Sequence, residues 1–182
     1  MKLRTDSIIV IAGMRGSGKT NLLKLLVSPL KIPYAIYDPL DQYGNVSTHR
    51  IVPAPDTLET FEATCKRVWE RGNFLLIVEE CEVYLRNKGE LPPYAKMCIL
   101  RGRNRGIGMW LCTRRIADLH KTPVSQADHL FLYRMFLPND IDYISQFIPK
   151  EQAQGLDHMK PFWFLHYSSG TAELCPPVAE VK

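Results

Sequence analysis

"AGMRGSGKTNLL", residues 12–23, contains the pattern G-x-x-x-x-G-K-[ST]. The preceding residues, Ser7–Ala12 (SIIVIA), are rich in β-branched side chains and predict a buried strand. The following residues, Thr20–Leu26 (TNLLKLL), have apolar side chains at helical spacing, and Pro29 ends that helix. The pattern therefore lies between a strand and a helix, which is the context in which it forms a phosphate-binding loop.

The glycines of this pattern explain what the turn can bind. Gly13 and Gly18 permit backbone angles that direct successive N–H groups inward, towards an anion at the start of the helix. The Lys19 ammonium would reach the β- and γ-phosphates, and the Thr20 hydroxyl would bind Mg²⁺. We therefore predict ATP and Mg²⁺ as ligands, with contacts from Gly13, Met14, Arg15, Gly16, Ser17, Gly18, Lys19, Thr20 and Asn21.

Length and composition restrict the class of protein. A chain of 182 residues that is 46% hydrophobic can bury one core, so we expect a single domain over 1–182, with 175–182 as a loose tail. The apolar runs are far shorter than the roughly 20 residues of a membrane helix, and the N-terminus has no signal-peptide core, which predicts a cytoplasmic protein without a transmembrane segment. The five widely spaced cysteines argue against both a disulfide framework and a zinc site.

Strands and helices alternate along the rest of the chain. Further strands are predicted at Tyr34–Asp38, Phe74–Val78, Met109–Thr113 and His129–Met135, helices at Thr57–Arg71, Tyr94–Asn104 and Asn139–Phe147, and a C-terminal hairpin at Phe162–Tyr167 and Thr171–Cys175. Right-handed crossovers between such strands give a mostly parallel sheet with helices on both faces. The predicted fold class is α/β, a three-layer P-loop NTPase sandwich.

Two acids directly follow the third predicted strand, in FLLIVEE at residues 74–80. This stretch resembles the Walker B strand of P-loop ATPases, and ligands of open α/β sheets gather at that end of the strands. The resemblance implies that Glu79 binds Mg²⁺ and that Glu80, as general base, positions the attacking water. Glu79 is one methylene longer than the usual aspartate, so the two roles could also be exchanged. The alternative is a pair of acids that only caps the strand and faces solvent.

A third segment, RGRNRGIGMWLCTRRIADL at residues 101–119, has five arginines and no acid from Arg101 to Arg115. It resembles the R-G-I-G and T-Q-R segment of the HerA/FtsK superfamily of ring-forming, DNA-pumping ATPases. The stretches YDPLDQYG (37–44) and ADHLFLYRMFLPNDIDYISQFIP (127–149) resemble that superfamily's acidic turn and its fifth strand with the following helix. The resemblance extends from about Ser7 to Tyr167.

This resemblance implies a sheet order and further site residues. Met109–Thr113 would lie between the phosphate-loop strand and the acidic strand, which places Thr113 and Arg114 beside the γ-phosphate. Arg114 stands where the superfamily usually has glutamine. An arginine finger, a side chain that reaches the neighbouring subunit's nucleotide, would come from Arg105 or Arg103. The alternative for the arginine run is a solvated surface.

A finger in trans requires an oligomer, and head-to-tail contacts close best as a ring. The resemblance implies a hexamer or pentamer, and we expect its hole to hold double-stranded DNA without sequence specificity. In the loop Tyr84–Pro93, Arg86 and Lys88 would contact phosphates and Tyr84 would stack on a base. The alternative is a plain surface loop.

The chain looks most like the small genome-packaging ATPases of viruses, which bind a capsid vertex and pump double-stranded DNA. The leading prediction is therefore an ATP-hydrolysing DNA translocase with a capsid-vertex or membrane-protein partner, in the host cytoplasm or on the virion. A second candidate is the filamentous-phage assembly and extrusion ATPase related to zonula occludens toxin. A nucleotide-gated module and a small-molecule kinase are the remaining alternatives.

Overall fold

The structure is a computed structural model that describes residues 3–44, 47 and 49–179. Within these residues the strands form one eight-stranded sheet of order β3-β2-β4-β5-β1-β6-β7-β8. The strands are β1 (Ile8–Ala12), β2 (Tyr34–Tyr37), β3 (Arg50–Ile51), β4 (Leu75–Val78), β5 (Gly108–Thr113), β6 (His129–Tyr133), β7 (Phe164–Ser168) and β8 (Thr171–Cys175). The first six strands pair in parallel, whereas β7 and β8 form an antiparallel hairpin that continues from β6.

Helices cover both faces of this sheet. They are α1 (Lys19–Val27), α2 (Leu58–Arg71), α3 (Pro93–Arg101), α4 (Lys121–Ser125), α5 (Pro138–Ile144) and α6 (Lys150–Gln154). Alternate residues of β1 point to opposite faces, so Ile9 and Ile11 pack in the cluster that contains α1, and Val10 packs in the cluster that contains α2, α3 and α5. The predicted three-layer α/β fold is confirmed.

The position of β5 determines where the site lies. β5 pairs with β1 on one side and with β4 on the other, so the strand before the phosphate loop and the strand before the two acids are separated by one inserted strand. Ala12 lies opposite Thr113, and Val78 lies opposite Leu111. Because all three strands run in parallel, the residues that follow them meet at one carboxyl edge of the sheet.

Some elements differ from the sequence prediction. β3 has only two residues, α4 contains Pro123, and α6 has five residues; such short elements lack the periodicity that sequence reasoning needs. The prediction of a loose tail that begins at residue 175 is corrected in two places. Cys175 is the last residue of β8, and Val178 packs against the core cluster that contains α1. Residues 180–182 of that tail lie outside the described residues.

Across the part of the chain that the structure describes, every helix is too short or too polar to cross a membrane.

Candidate nucleotide site

The glycine-rich turn between β1 and α1 has the backbone that its residues predict. Gly18, the N-cap of α1, has φ 106°, and Gly16 has φ 77°; both lie in the left-handed region that favours glycine. Gly13 is required by space, because a Cβ at that position would lie 2.5 Å from Tyr133 Cβ and 3.0 Å from Ser17 Oγ. The turn therefore has the backbone conformation that the pattern predicts for a phosphate-binding loop at a helix N-terminus.

The side chains of the turn support the same conclusion. The Lys19 ammonium donates to the carbonyl oxygens of Gly13 (2.6 Å) and Met14 (3.0 Å), and burial lowers its pKa. Ser17 Oγ is buried and has no hydrogen-bond partner among the described residues, as expected of a group that faces a ligand. Arg15 is exposed at the tip of the turn, and Asn21 is half-buried on the first turn of α1.

Gly13→Ala tests the close approach within the turn. We expect the added Cβ to push β6 and the turn apart, because its contact with Tyr133 Cβ would be 2.5 Å. ATP binding should weaken at least about tenfold, an effect of about 1.4 kcal/mol. Isothermal titration with ATP measures this change. Gly170→Ala is the control, since a Cβ there meets nothing within 4 Å although its φ of 79° is also left-handed.

Side-chain oxygens of Thr20, Tyr43 and Glu79 converge beside the turn. The Tyr43 hydroxyl donates to Glu79 Oε1 and lies 3.5 Å from Thr20 Oγ1. A hydroxyl and a carboxylate beside a phosphate site are the ligands that Mg²⁺ takes from proteins, with waters and phosphate oxygens completing its shell. The residues therefore fit the ion, and Thr20 and Glu79 would hold it. Among the residues that the structure describes, no group of three or more His, Cys, Asp or Glu is arranged to surround a metal ion.

Tyr43 is a site residue that the sequence reasoning missed. It belongs to the YDPLDQYG turn, where the buried Asp38 carboxylate accepts the backbone N–H groups of Gln42 (3.0 Å) and Tyr43 (2.9 Å). Asp38 thereby directs the Tyr43 hydroxyl to Glu79. Burial and the Glu79 charge raise the pKa of Tyr43, so it remains a proton donor, and burial raises the pKa of Glu79. The Asp38 turn is local, but nothing in the sequence around Tyr43 indicates its contact with Glu79, which lies 36 positions away.

Glu80, Thr113 and Arg114 lie at the ends of β4 and β5. The Arg114 guanidinium forms an ion pair with Glu80 Oε1, and Glu80 has φ 49°. The Arg114 backbone N–H donates to Glu82 Oε1 (3.0 Å). The Thr113 carbonyl accepts the Gly13 N–H (3.2 Å), which fastens β5 to the phosphate loop. The structure thus brings together the loop, both acids, Thr113 and Arg114.

Glu82 is a second residue of this site that the sequence reasoning missed. Its Oε2 is buried without a hydrogen-bond partner among the described residues, and burial raises its pKa. Its Oε1 accepts the Arg114 backbone N–H just after β5, which places the carboxylate at the same edge of the sheet as the phosphate loop. The residue follows the two strand-end acids in a short 3-10 helix, Cys81–Val83, which the sequence did not predict.

The candidate finger residues lie away from the phosphate loop. They stand in and beside a 3-10 helix, Gly102–Arg105, before the amino end of β5. Arg103 forms an ion pair with Asp128, and Arg105 donates from Nε to the Trp69 carbonyl (3.0 Å) with its guanidinium 4.9 Å from the Trp69 ring centroid. Arg101 is exposed. β5 has six residues, about 20 Å, so these arginines cannot reach the nucleotide site of their own chain.

The loop after the two acids differs in part from the expectation. Tyr84 is 4% exposed, stacks on Phe61, and donates its hydroxyl to Asp56 (2.5 Å), so the prediction that it stacks on a nucleic-acid base is corrected. Tyr84 follows the 3-10 helix Cys81–Val83, and its ring packs in the core against Tyr37 and Phe61. Arg86 and Lys88 are exposed and line a surface cavity of about 570 Å³. Glu90 lines the same cavity, so the cavity lining carries charges of both signs.

Comparison with known proteins agrees with this geometry. No protein-family model and no curated protein sequence matches the chain. Among solved structures, it is similar to the genome packaging NTPase B204 from Sulfolobus turreted icosahedral virus 2 in complex with AMPPCP. The TM-score is 0.83 and the identity 26%, over 97% of this chain and 100% of that one. The chain has the fold of a P-loop NTPase. The predicted resemblance to small viral genome-packaging ATPases is thereby confirmed.

Two further structures resemble the chain. The DNA-packaging ATPase from Sulfolobus turreted icosahedral virus has a TM-score of 0.84 at 23% identity, over 97% of this chain and 100% of that one. The N-terminal domain of zonular occludens toxin from Neisseria meningitidis has a TM-score of 0.65 at 11% identity, over 94% of each chain. At these identities the two similarities show the fold alone.

Proposed function

We propose that this protein is an ATPase that packages viral double-stranded DNA as a ring. The proposal is carried by one observation: the phosphate loop, the Thr20–Tyr43–Glu79 cluster and Glu80 converge at one edge of a sheet. The similarity to a nucleotide-bound genome packaging NTPase supports it. Such an arrangement can suffice for catalysis, since phosphoryl transfer depends on positioning and charge stabilisation more than on covalent catalysis.

In the proposed reaction a water attacks the γ-phosphate in line. Amides of the turn and Lys19 would hold the phosphates. Thr20 and Glu79 would hold Mg²⁺, which would neutralise negative charge on the phosphate oxygens. Glu80 orients the water and accepts its proton. Thr113 and Arg114, at the end of β5, would respond to the γ-phosphate, and Arg114 also pairs with Glu80. An arginine of the next subunit completes the site.

Steady-state ATP hydrolysis by the purified chain at low salt tests this function. We expect turnover to rise several-fold with long double-stranded DNA, and the rate per subunit to rise with protein concentration because the finger comes from a neighbour. Hydrolysis that ignores both DNA and concentration would contradict the ring motor. Nucleotide binding without hydrolysis would favour a nucleotide-gated module, phosphorylation of an added nucleoside would favour a kinase, and stimulation by single-stranded DNA alone would favour an extrusion ATPase.

Arg86 and Lys88 are the proposed DNA contacts. If each neutralises one phosphate, the double variant Arg86→Gln/Lys88→Gln should make the negative slope of log association constant against log salt shallower by about 1.8, since each contact contributes about 0.9. Fluorescence anisotropy with labelled duplex DNA over a salt series measures the slope. Arg67→Gln/Lys96→Gln is the matched control, because both residues are exposed on helices, α2 and α3. An unchanged slope in the first variant would show that this loop is a plain surface.

A further inference from the structure

A small cavity beside the phosphate loop has no part in the mechanism above. It has a volume of about 230 Å³ and is lined by Gly18, Asn21, Tyr133, Phe162, Pro177 and Val178. Gly18 is the N-cap of α1, so the cavity borders the anion site directly. The Phe162 ring reaches the same turn, since a Cβ on Gly18 would lie 3.5 Å from Phe162 Cδ1. A ligand bound by its phosphates in the turn would extend beside this cavity.

Phe162 is unusual in two respects. Its side chain is 54% exposed, so this large apolar ring gains little free energy from burial. Its backbone has φ 65°, in the left-handed region that bulky residues avoid. Backbone strain at an exposed aromatic residue next to a ligand site suggests a functional role, since such strain collects at ligand clamps.

The other lining residues define the chemistry of the cavity. Tyr133 donates its hydroxyl to the Gly18 carbonyl (3.2 Å), which fixes its ring against the turn. Pro177 and Val178 close the cavity with apolar surface, and Val178 packs against the core. Asn21 supplies the one side-chain amide of the lining. A flat ring on an apolar wall with little hydrogen-bonding capacity suits a nucleobase held by stacking.

We propose that this cavity, the base pocket, holds the nucleobase of the bound nucleoside triphosphate, with Phe162 as the stacking platform. The inference rests on the proposed nucleotide binding, because the phosphates in the turn anchor the base there. Stacking accepts any base, since every base has a π-face. ATP and GTP should therefore bind with Kd values within about threefold of each other, and the larger purines should bind more tightly than UTP.

The test compares ligands with and without a base. Titration of the full chain with ATP and with inorganic triphosphate, both with Mg²⁺, gives two Kd values for each variant. Phe162→Ala should weaken ATP about tenfold, about 1.4 kcal/mol, and leave triphosphate unchanged. Phe162→Trp should restore ATP binding, because its ring also stacks. Phe136→Ala is the matched control, since Phe136 is 53% exposed and does not line the cavity.

Each outcome has a separate meaning. Equal weakening of ATP and triphosphate by Phe162→Ala would overturn the base pocket, because the ring would then support only the phosphate turn. Equal affinity of the unchanged chain for ATP and triphosphate would overturn it too, since the base would contribute nothing. A loss in Phe136→Ala equal to that in Phe162→Ala would also count against it. If the unchanged chain binds neither ligand, the proposed ATPase function fails instead.

Discussion

Replacing Glu80 with glutamine is expected to lower kcat for ATP hydrolysis by about 10²- to 10⁴-fold, the usual contribution of a general base. Glutamine keeps the shape of the side chain but cannot accept the proton of the attacking water. The Kd for ATP should change less than about twofold, because Glu80 acts on the transition state. Loss of the Arg114 ion pair should cost little stability, since the Arg114 side chain is 41% exposed. Phosphate release at saturating ATP, with ATP titration, measures both quantities.

Two further variants make this result specific. Glu151→Gln removes an exposed acid from α6, and it should leave kcat unchanged. Glu79→Gln should raise the Mg²⁺ concentration needed for half-maximal rate, because Glu79 would hold the ion. If instead Glu80→Gln raises the Mg²⁺ requirement and Glu79→Gln lowers kcat at every Mg²⁺ concentration, the roles of the two acids are exchanged. A fully active Glu80→Gln chain would contradict the proposed mechanism.

The sequence predicted the long and strongly patterned parts of this fold well. The buried strands β1, β4 and β5 were recognised from continuous apolar runs, and the terminal hairpin from its Ser-Ser-Gly turn. Periodicity alone could not give the sheet order, because it reports burial but not which strands are neighbours; that order came from the resemblance. The predicted helix from Tyr94 to Asn104 ends at Arg101, and a 3-10 helix follows it.

The sequence predicted only those parts of the site that lie within one continuous segment of the chain. The phosphate loop is one continuous segment, so its glycines and Lys19 identified it directly. Tyr43 comes from another loop and meets Glu79 through a tertiary contact across 36 positions, which no local pattern specifies. For Tyr84 the error was the opposite one, because a residue predicted to be exposed is buried. The polar loop sequence around it suggested exposure, whereas the fold packs its ring against Phe61.

Loss of the arginine finger is expected to lower kcat by about 10³-fold in the assembled ring, about 4 kcal/mol of transition-state stabilisation. Arg105→Ala and Arg103→Ala are the leading variants and Arg101→Ala the third. The contacts that hold Arg103 and Arg105 within the chain are with Asp128 and Trp69, at or near the surface, and each is worth about 1 kcal/mol or less. A neighbour's γ-phosphate could therefore draw either side chain away. DNA-stimulated phosphate release measures the loss.

Mixing two inactive variants separates a finger from an ordinary structural arginine. Glu80→Gln chains keep the finger and Arg105→Ala chains keep the base, so an interface that joins the two can contain one complete site. A mixture of the two should then recover activity well above either variant alone, because the arginine acts in trans. An arginine that only stabilises its own chain through Trp69 gives no such recovery. If neither the Arg105 nor the Arg103 nor the Arg101 variant is rescued by Glu80→Gln chains, the run is a solvated surface and the proposed ring lacks a finger in this segment.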